Sequence, residues 1–164
     1  MSRIYFVPFN GTVTAAGGDT DLFSLQAADD IPIRIRGFTL GQVSEVGDAQ
    51  EENLRITVKY LPATFTVGSG GSAVTAVPPG ADPAAANWSF TARTNDTTVA
   101  TTSGTAIVRD EFGWNERNTP YERWYPDLDF CPVARQGAGL VIRQETTAAD
   151  DYTFSGGVWV EELS

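Results

Sequence analysis

The chain has no histidine, one cysteine and one methionine among its 164 residues, and Lys59 is its single lysine beside ten arginines. Without imidazole there is no group poised to carry protons near neutral pH, and the commonest ligand for zinc, copper or non-haem iron is missing. Cys131 stands alone, so it forms no intrachain disulfide. The sequence around it, Asp129-Phe130-Cys131-Pro132, offers no second thiol for a metal or redox pair. Its expected role is that of a small buried apolar side chain. No run approaches the roughly 20 apolar residues that cross a bilayer, and no convincing amphipathic helix is present. The formal net charge of −10 and pI near 4.3 set a repulsive field against phosphate backbones. Direct binding to nucleic acid and insertion into membranes are therefore not expected, and neither is a metal-dependent, cupin-like enzyme.

What is there is alternation. In residues 53 to 61, Leu54, Ile56, Val58 and Tyr60 fall on one face of a strand while Arg55, Thr57 and Lys59 fall on the other. Runs of this kind recur at 3 to 9, 21 to 26, 31 to 43, 53 to 61, 88 to 93, 96 to 101, 104 to 110, 137 to 146 and 151 to 162. Short strands bounded by Gly, Pro and Asp predict a single all-β domain over residues 1 to 164, an antiparallel sandwich or closed barrel. A chain of this length buries roughly 70% of the surface its unfolded form exposes, so it needs no disulfide or metal to hold together. The N-terminus runs directly into Ile4-Tyr5-Phe6-Val7, and no cleaved leader is expected. Adjacent Gly156 and Gly157 predict a bulge, bend or close backbone approach in the last strand.

Carboxylates occur in pairs. Ala27-Ala28-Asp29-Asp30 and Ala148-Ala149-Asp150-Asp151 form a small internal repeat, each preceding a strand. Asp readily caps its own backbone, so these read as turns. Adjacent Asp residues on a turn point to opposite sides and would not flank one glycosidic bond. Asp19 with Asp21, and Asp127 with Asp129, lack the ligand spacing of ordered calcium loops. No cofactor, metal or catalytic residue is expected, and the chain reads as a protein without enzymatic activity.

Two segments stand out as binding candidates. Residues 68 to 87 are rich in Gly, Pro and Ala and read as one long connection between strands. The Gly68-x-Gly70-Gly71 run is not followed by the lysine and helix of a phosphate loop. Gly70, Ser72, Val74, Val77, Pro78 and Pro79 are the contact residues expected in it. Between Phe112 and Phe130 lie six of the eighteen aromatic residues, with Trp114, Asn115, Arg117, Tyr121, Arg123, Trp124 and Tyr125. These rings fit three roles: a lid on one end of the sandwich, the anchors of a protein interface, or, with Asn115, Asn118 and Arg123, a platform for a sugar. Exposed, coplanar rings among Trp114, Tyr121, Trp124 and Trp159 would favour the sugar.

Three strings carry a resemblance: Tyr5-Phe6-Val7-Pro8-Phe9-Asn10-Gly11, Gly113-Trp114-Asn115-Glu116-Arg117-Asn118, and Gly139-Leu140-Val141-Ile142-Arg143 leading to Thr153-Phe154-Ser155-Gly156. With these the chain resembles the small jelly-roll virion proteins of tailed bacteriophages, the decoration or cement proteins of the capsid. That resemblance implies an antiparallel jelly roll of about eight strands. It further implies a homotrimer made in the host cytoplasm and seated on the outer surface of the head, with the major capsid protein as its partner. The alternative within the same particle is a head-fibre or receptor- and carbohydrate-binding module. On the decoration reading, the aromatic segment is expected to serve the fold or the trimer. The 68 to 87 loop is then expected to reach the capsid or a neighbouring trimer.

Overall fold

The computed structural model describes residues 3–15, 17–43, 52–80, 88–117 and 120–163. The all-β antiparallel sandwich expected from the alternation is what forms. Its strands are β1 (Arg3–Val13), β2 (Thr20–Gln26), β3 (Ile33–Gln42), β4 (Asn53–Leu61), β5 (Phe65–Thr66), β6 (Ser72–Val74), β7 (Thr91–Asp96), β8 (Thr101–Thr102), β9 (Ile107–Asn115), β10 (Tyr121–Trp124), β11 (Val133–Ala134), β12 (Gly139–Gln144) and β13 (Tyr152–Glu162). Among the described residues a 3-10 turn, Leu128–Phe130, lies between β10 and β11.

One sheet runs β1-β13-β3-β10, with β11 also on β3; the other runs β6-β7-β2-β12-β4-β9. Taking β1, β2, β3, β4, β9, β10, β12 and β13 as the principal strands, the first two pair with the last two, β1 with β13 and β2 with β12. Inside them β3 pairs with β10 and β4 with β9. The pairs are thus nested, each enclosing the next along the chain. β5 to β8 are additions inserted between β4 and β9.

Alternation sets which face is core. In β1, Tyr5, Val7 and Phe9 point inward and are fully buried, while Ile4, Phe6 and Pro8 point outward. In β4, Leu54, Ile56 and Val58 enter the same core. β2 and β12 are buried on both faces because the β5–β8 ribbon lies over the outside of the second sheet, where Phe65 and Ala100 pack on Leu61 and Val141. Where the sheets meet at β9 and β10, Phe112 and Tyr121 stack with ring centroids 3.7 Å apart and planes 1° from parallel.

Three expectations need correction. The runs at 88 to 93 and 96 to 101 are one strand, β7, followed by a turn, with Asn95 at φ 57°. The strand placed at 104 to 110 is β9, which continues through Phe112 and Trp114 to Asn115, because Gly113 pairs with Arg55 in the ladder and does not end it. Residues 68 to 80 are not one structureless connection. Ser72, Ala73 and Val74 pair with β7, Ser69 and Thr98 exchange backbone hydrogen bonds of 2.9 Å, and Ala76 is buried in the core. Small side chains permit that close packing against the sheet edge; residues 81 to 87 lie outside the described residues.

Candidate interaction surface

The outward face of the first sheet carries one continuous cross-strand row. Val77 bridges Phe6, Phe6 pairs with Trp159, Trp159 with Gly37, and Gly37 with Trp124. Directly opposed side chains on one face of a sheet touch, so the register alone brings together residues far apart in sequence. Gly37 has no side chain, and a Cβ there would lie 2.5 Å from Trp124 Cε3 and 2.8 Å from the Arg123 carbonyl oxygen. Its bareness lets the Trp124 ring reach across to Trp159, with centroids 4.6 Å apart and planes inclined by 41°. Phe6 meets the other side of Trp159 at 5.0 Å and 53°, lying over Gly157. Close approach over a bare backbone is therefore what Gly157 supplies, while the irregularity in β13 falls between Trp159 and Val160.

That irregularity leaves Arg36 as the extra residue of β3, on the same outward face. Its Nη1 donates to Glu161 Oε2 at 2.8 Å, and Arg34 Nε lies 3.3 Å from the same oxygen. Two guanidiniums thus share one carboxylate, which leaves the rim of the row with positive charge in excess. Ile4, Arg36, Trp124, Tyr125 and Trp159 enclose a shallow pocket at this end. Trp124 is 52% exposed and Val77 50%, and no described residue covers them.

The aromatic segment is divided among three jobs. Trp114 is buried, edge-on to Tyr152 at 5.7 Å, and belongs to the core. Asn115 Oδ1 accepts from Arg117 N at 3.0 Å and shapes the turn after β9; Asn118 lies outside the described residues. Tyr121, Arg123 and Tyr125 tie the two sheets together. Arg123 donates to both oxygens of Asp110 at 2.7 and 3.1 Å, and Tyr125 Oη donates to Asp110 Oδ2 at 3.0 Å. Burial, followed by the nearby Asp110 charge, pushes the Tyr125 hydroxyl far above its ordinary range, so it remains a donor. Only Trp124 joins the exposed row. The rings proposed for a sugar platform share no plane: one is core, one is stacked on Phe112, and Trp124 and Trp159 are inclined to each other.

The contact residues expected in 68 to 87 are divided too. Gly70, at φ 92°, turns the chain beside Thr97. Ser72 is exposed on β6, and Val74 packs on the core from its edge. Val77 enters the aromatic row, followed by half-buried Pro78 and exposed Pro79. Residues assigned by sequence to opposite roles, Val77 and Trp124, therefore lie on one surface. Phe6, Ile4 and Arg36 were missed as members; the outward positions of an alternating β1 were the available signal, and β3 register was not.

Asp29, Asp30, Asp150 and Asp151 sit at or beside bends, where Asp151 Oδ1 accepts from Ala15 N at 2.7 Å. Among the described residues no group of three or more His, Cys, Asp or Glu is placed to hold a metal. Cys131 is buried, which pushes its thiol up from the ordinary value. No described helix is long and apolar enough to cross a membrane. No family model matches the chain, and no curated protein or solved structure matches it either.

Proposed function

We propose that the protein is a structural, binding-only component of a tailed-phage virion: a capsid decoration protein that attaches to the outer surface of the head as a homotrimer and stabilises the shell. The observation that carries this reading is the uncovered row Val77–Phe6–Trp159–Trp124 on a sheet face. Large apolar rings rimmed by arginine are the composition of protein interfaces. The resemblance of three strings to the jelly-roll virion proteins directs the Val77 end of this row to a capsid and its Trp124 end to the trimer. A protein that binds only the intact shell stabilises it by mass action, and three equivalent patches on one trimer convert modest contacts into durable attachment. The major capsid protein is the partner, and neither cofactor nor catalysis is required.

The inclined rings weigh against the alternative of a head-fibre or carbohydrate-binding module, since a sugar face seats on a flat platform. The test is to add purified protein to heads stripped of decoration. Saturable binding at symmetric sites and a raised temperature of shell rupture are expected. Absence of binding to heads, together with binding to a glycan surface lost on Trp124→Ala, would establish the alternative.

A further inference from the structure

We propose that the aromatic pocket is the contact between copies of the chain: the exposed 3-10 turn Leu128–Phe130 of one copy seats in the Ile4, Arg36, Trp124 and Trp159 pocket of the next. This rests on the trimeric reading above and assigns the two surfaces that copies share.

The chain covers outward apolar residues where it is able to. On the second sheet, Val141 and Leu61 are sealed by Phe65 and Ala100 of the β5–β8 ribbon. On the first sheet no described residue covers the row, which leaves it open to another molecule. The same chain also carries an unpartnered knob. Residues 127 to 130 read Asp127-Leu128-Asp129-Phe130, with Leu128 47% and Phe130 72% exposed, the latter more than any other large apolar side chain described. The knob is held in shape before it meets anything. Asp127 Oδ1 accepts from Asp129 N at 3.1 Å, and Asp127 O accepts from Phe130 N at 3.2 Å. A preorganised aromatic anchor loses little freedom on docking.

Charge selects the partner. A chain of net charge −10 repels its own kind over most orientations. Arg36 lines the pocket and shares Glu161 with Arg34, two guanidiniums to one carboxylate, and the knob presents Asp127 and Asp129. Opposed potentials favour this orientation over the others. Phe130 does not fill the pocket of its own copy; Trp124 stands between them, lining the Phe130 hollow on one side and the pocket on the other. Knob and pocket are therefore different patches of one surface. Such a contact is heterologous, and it closes into a ring when the rotation between copies is one third of a turn.

The experiment places the photoreactive residue p-benzoylphenylalanine at position 130 of the full chain and maps the cross-linked peptides. In parallel, light scattering is run on the wild type, Phe130→Ala, Trp159→Ala and Asp129→Arg, the last a surface change that leaves packing alone. A wild-type mass of about three times 17.6 kDa is expected. Cross-links between copies should fall on the peptides holding Trp124 or Trp159. Each variant should raise the dissociation constant about thirtyfold or more, with unchanged far-ultraviolet circular dichroism. A monomeric wild type, cross-links to other surfaces, or trimers of unchanged stability in all three variants would overturn the assignment. Binding to stripped heads is scored separately. Variants that remain trimeric but leave the heads bare overturn this contact while the decoration reading stands; cross-links as expected in a wild type that ignores heads support the contact and overturn decoration.

Discussion

Asp21 and Arg143 meet at 2.6 Å on the outward side of the second sheet, and together they hold both backbone polar atoms of Ala100. Ala100 N donates to Asp21 Oδ2 at 2.7 Å, and Arg143 Nη2 donates to Ala100 O at 2.8 Å. The pair thereby clasps the segment leading into β8 onto β2 and β12. Removing one partner strands the other's charge in a water-poor site, whereas removing both does not. Arg143→Met is expected to destabilise the fold by about 3 to 5 kcal/mol, and Asp21→Leu with Arg143→Met to recover only part of that, because Ala100 N and O then lose their partners. Urea denaturation of the two variants decides it.

A buried carboxylate, Asp21, and a half-buried one, Glu145, should bend the pH profile of stability in opposite directions. Burial raises the Asp21 pKa above its ordinary 3.8 despite Arg143, so its contribution is fully present below the unfolded value and is lost as pH rises through the folded one. Burial also pushes Glu145 upward, but hydrogen bonds from Lys59 and Thr57 outweigh it and leave the group below its ordinary 4.5. Its contribution is present above the unfolded value and is lost as pH falls through the folded one. Asp21→Asn should therefore remove a decline in stability on raising the pH above about 4, and Glu145→Gln a decline on acidification below about 4.5. Denaturation midpoints measured across this range give the two slopes.

Gly37 and Gly157 both lie beneath rings of the outward row, yet alanine should affect them differently. At 157 the atoms nearest the added methyl are those of the Phe6 ring, which can swing into solvent. At 37 it meets Trp124 and also the Arg123 carbonyl at 2.8 Å, so β10 itself must move. Gly37→Ala is expected to cost about 1 to 3 kcal/mol and Gly157→Ala less. Both should alter tryptophan fluorescence, and thermal melts of the two variants read the difference in stability.

The parts legible in the sequence were those fixed by local period. Leu54, Ile56 and Val58 alternate into the core as the pattern required, and the expected 31 to 43 and 151 to 162 became Ile33–Gln42 and Tyr152–Glu162. The surface was not legible, because residues 6, 37, 77, 124 and 159 are neighbours only through a register set by long-range pairing. Burial of Thr57 was hidden for a related reason: a polar position on the outward face of β4 is covered by Glu145, which sits far along the chain. Segment 68 to 80 looked like a loop because small residues make no pattern, although smallness is what lets Ala76 fit where a larger side chain would not.

Ala76 and Val77 are adjacent in sequence and opposite in consequence. Ala76 is 2% exposed within the core cluster, while Val77 is 50% exposed and holds its place by exchanging two 2.8 Å backbone hydrogen bonds with Phe6. Aspartate at 76 buries a carboxylate in the hydrophobic cluster, and a loss of about 3 kcal/mol or more is expected. Aspartate at 77 keeps both backbone bonds and leaves its charge in water, so stability should change by no more than about 0.5 kcal/mol. That same charge sits at the end of the aromatic row and should weaken whatever association the row makes. The two substitutions separate what residues 68 to 80 contribute to folding from what they contribute to binding. Denaturation should register Ala76→Asp alone, and sedimentation or shell binding should register Val77→Asp in a protein of unchanged stability. If Ala76→Asp folds as well as the wild type, the segment is peripheral to the sandwich; if Val77→Asp associates as well as the wild type, the row ends at Phe6.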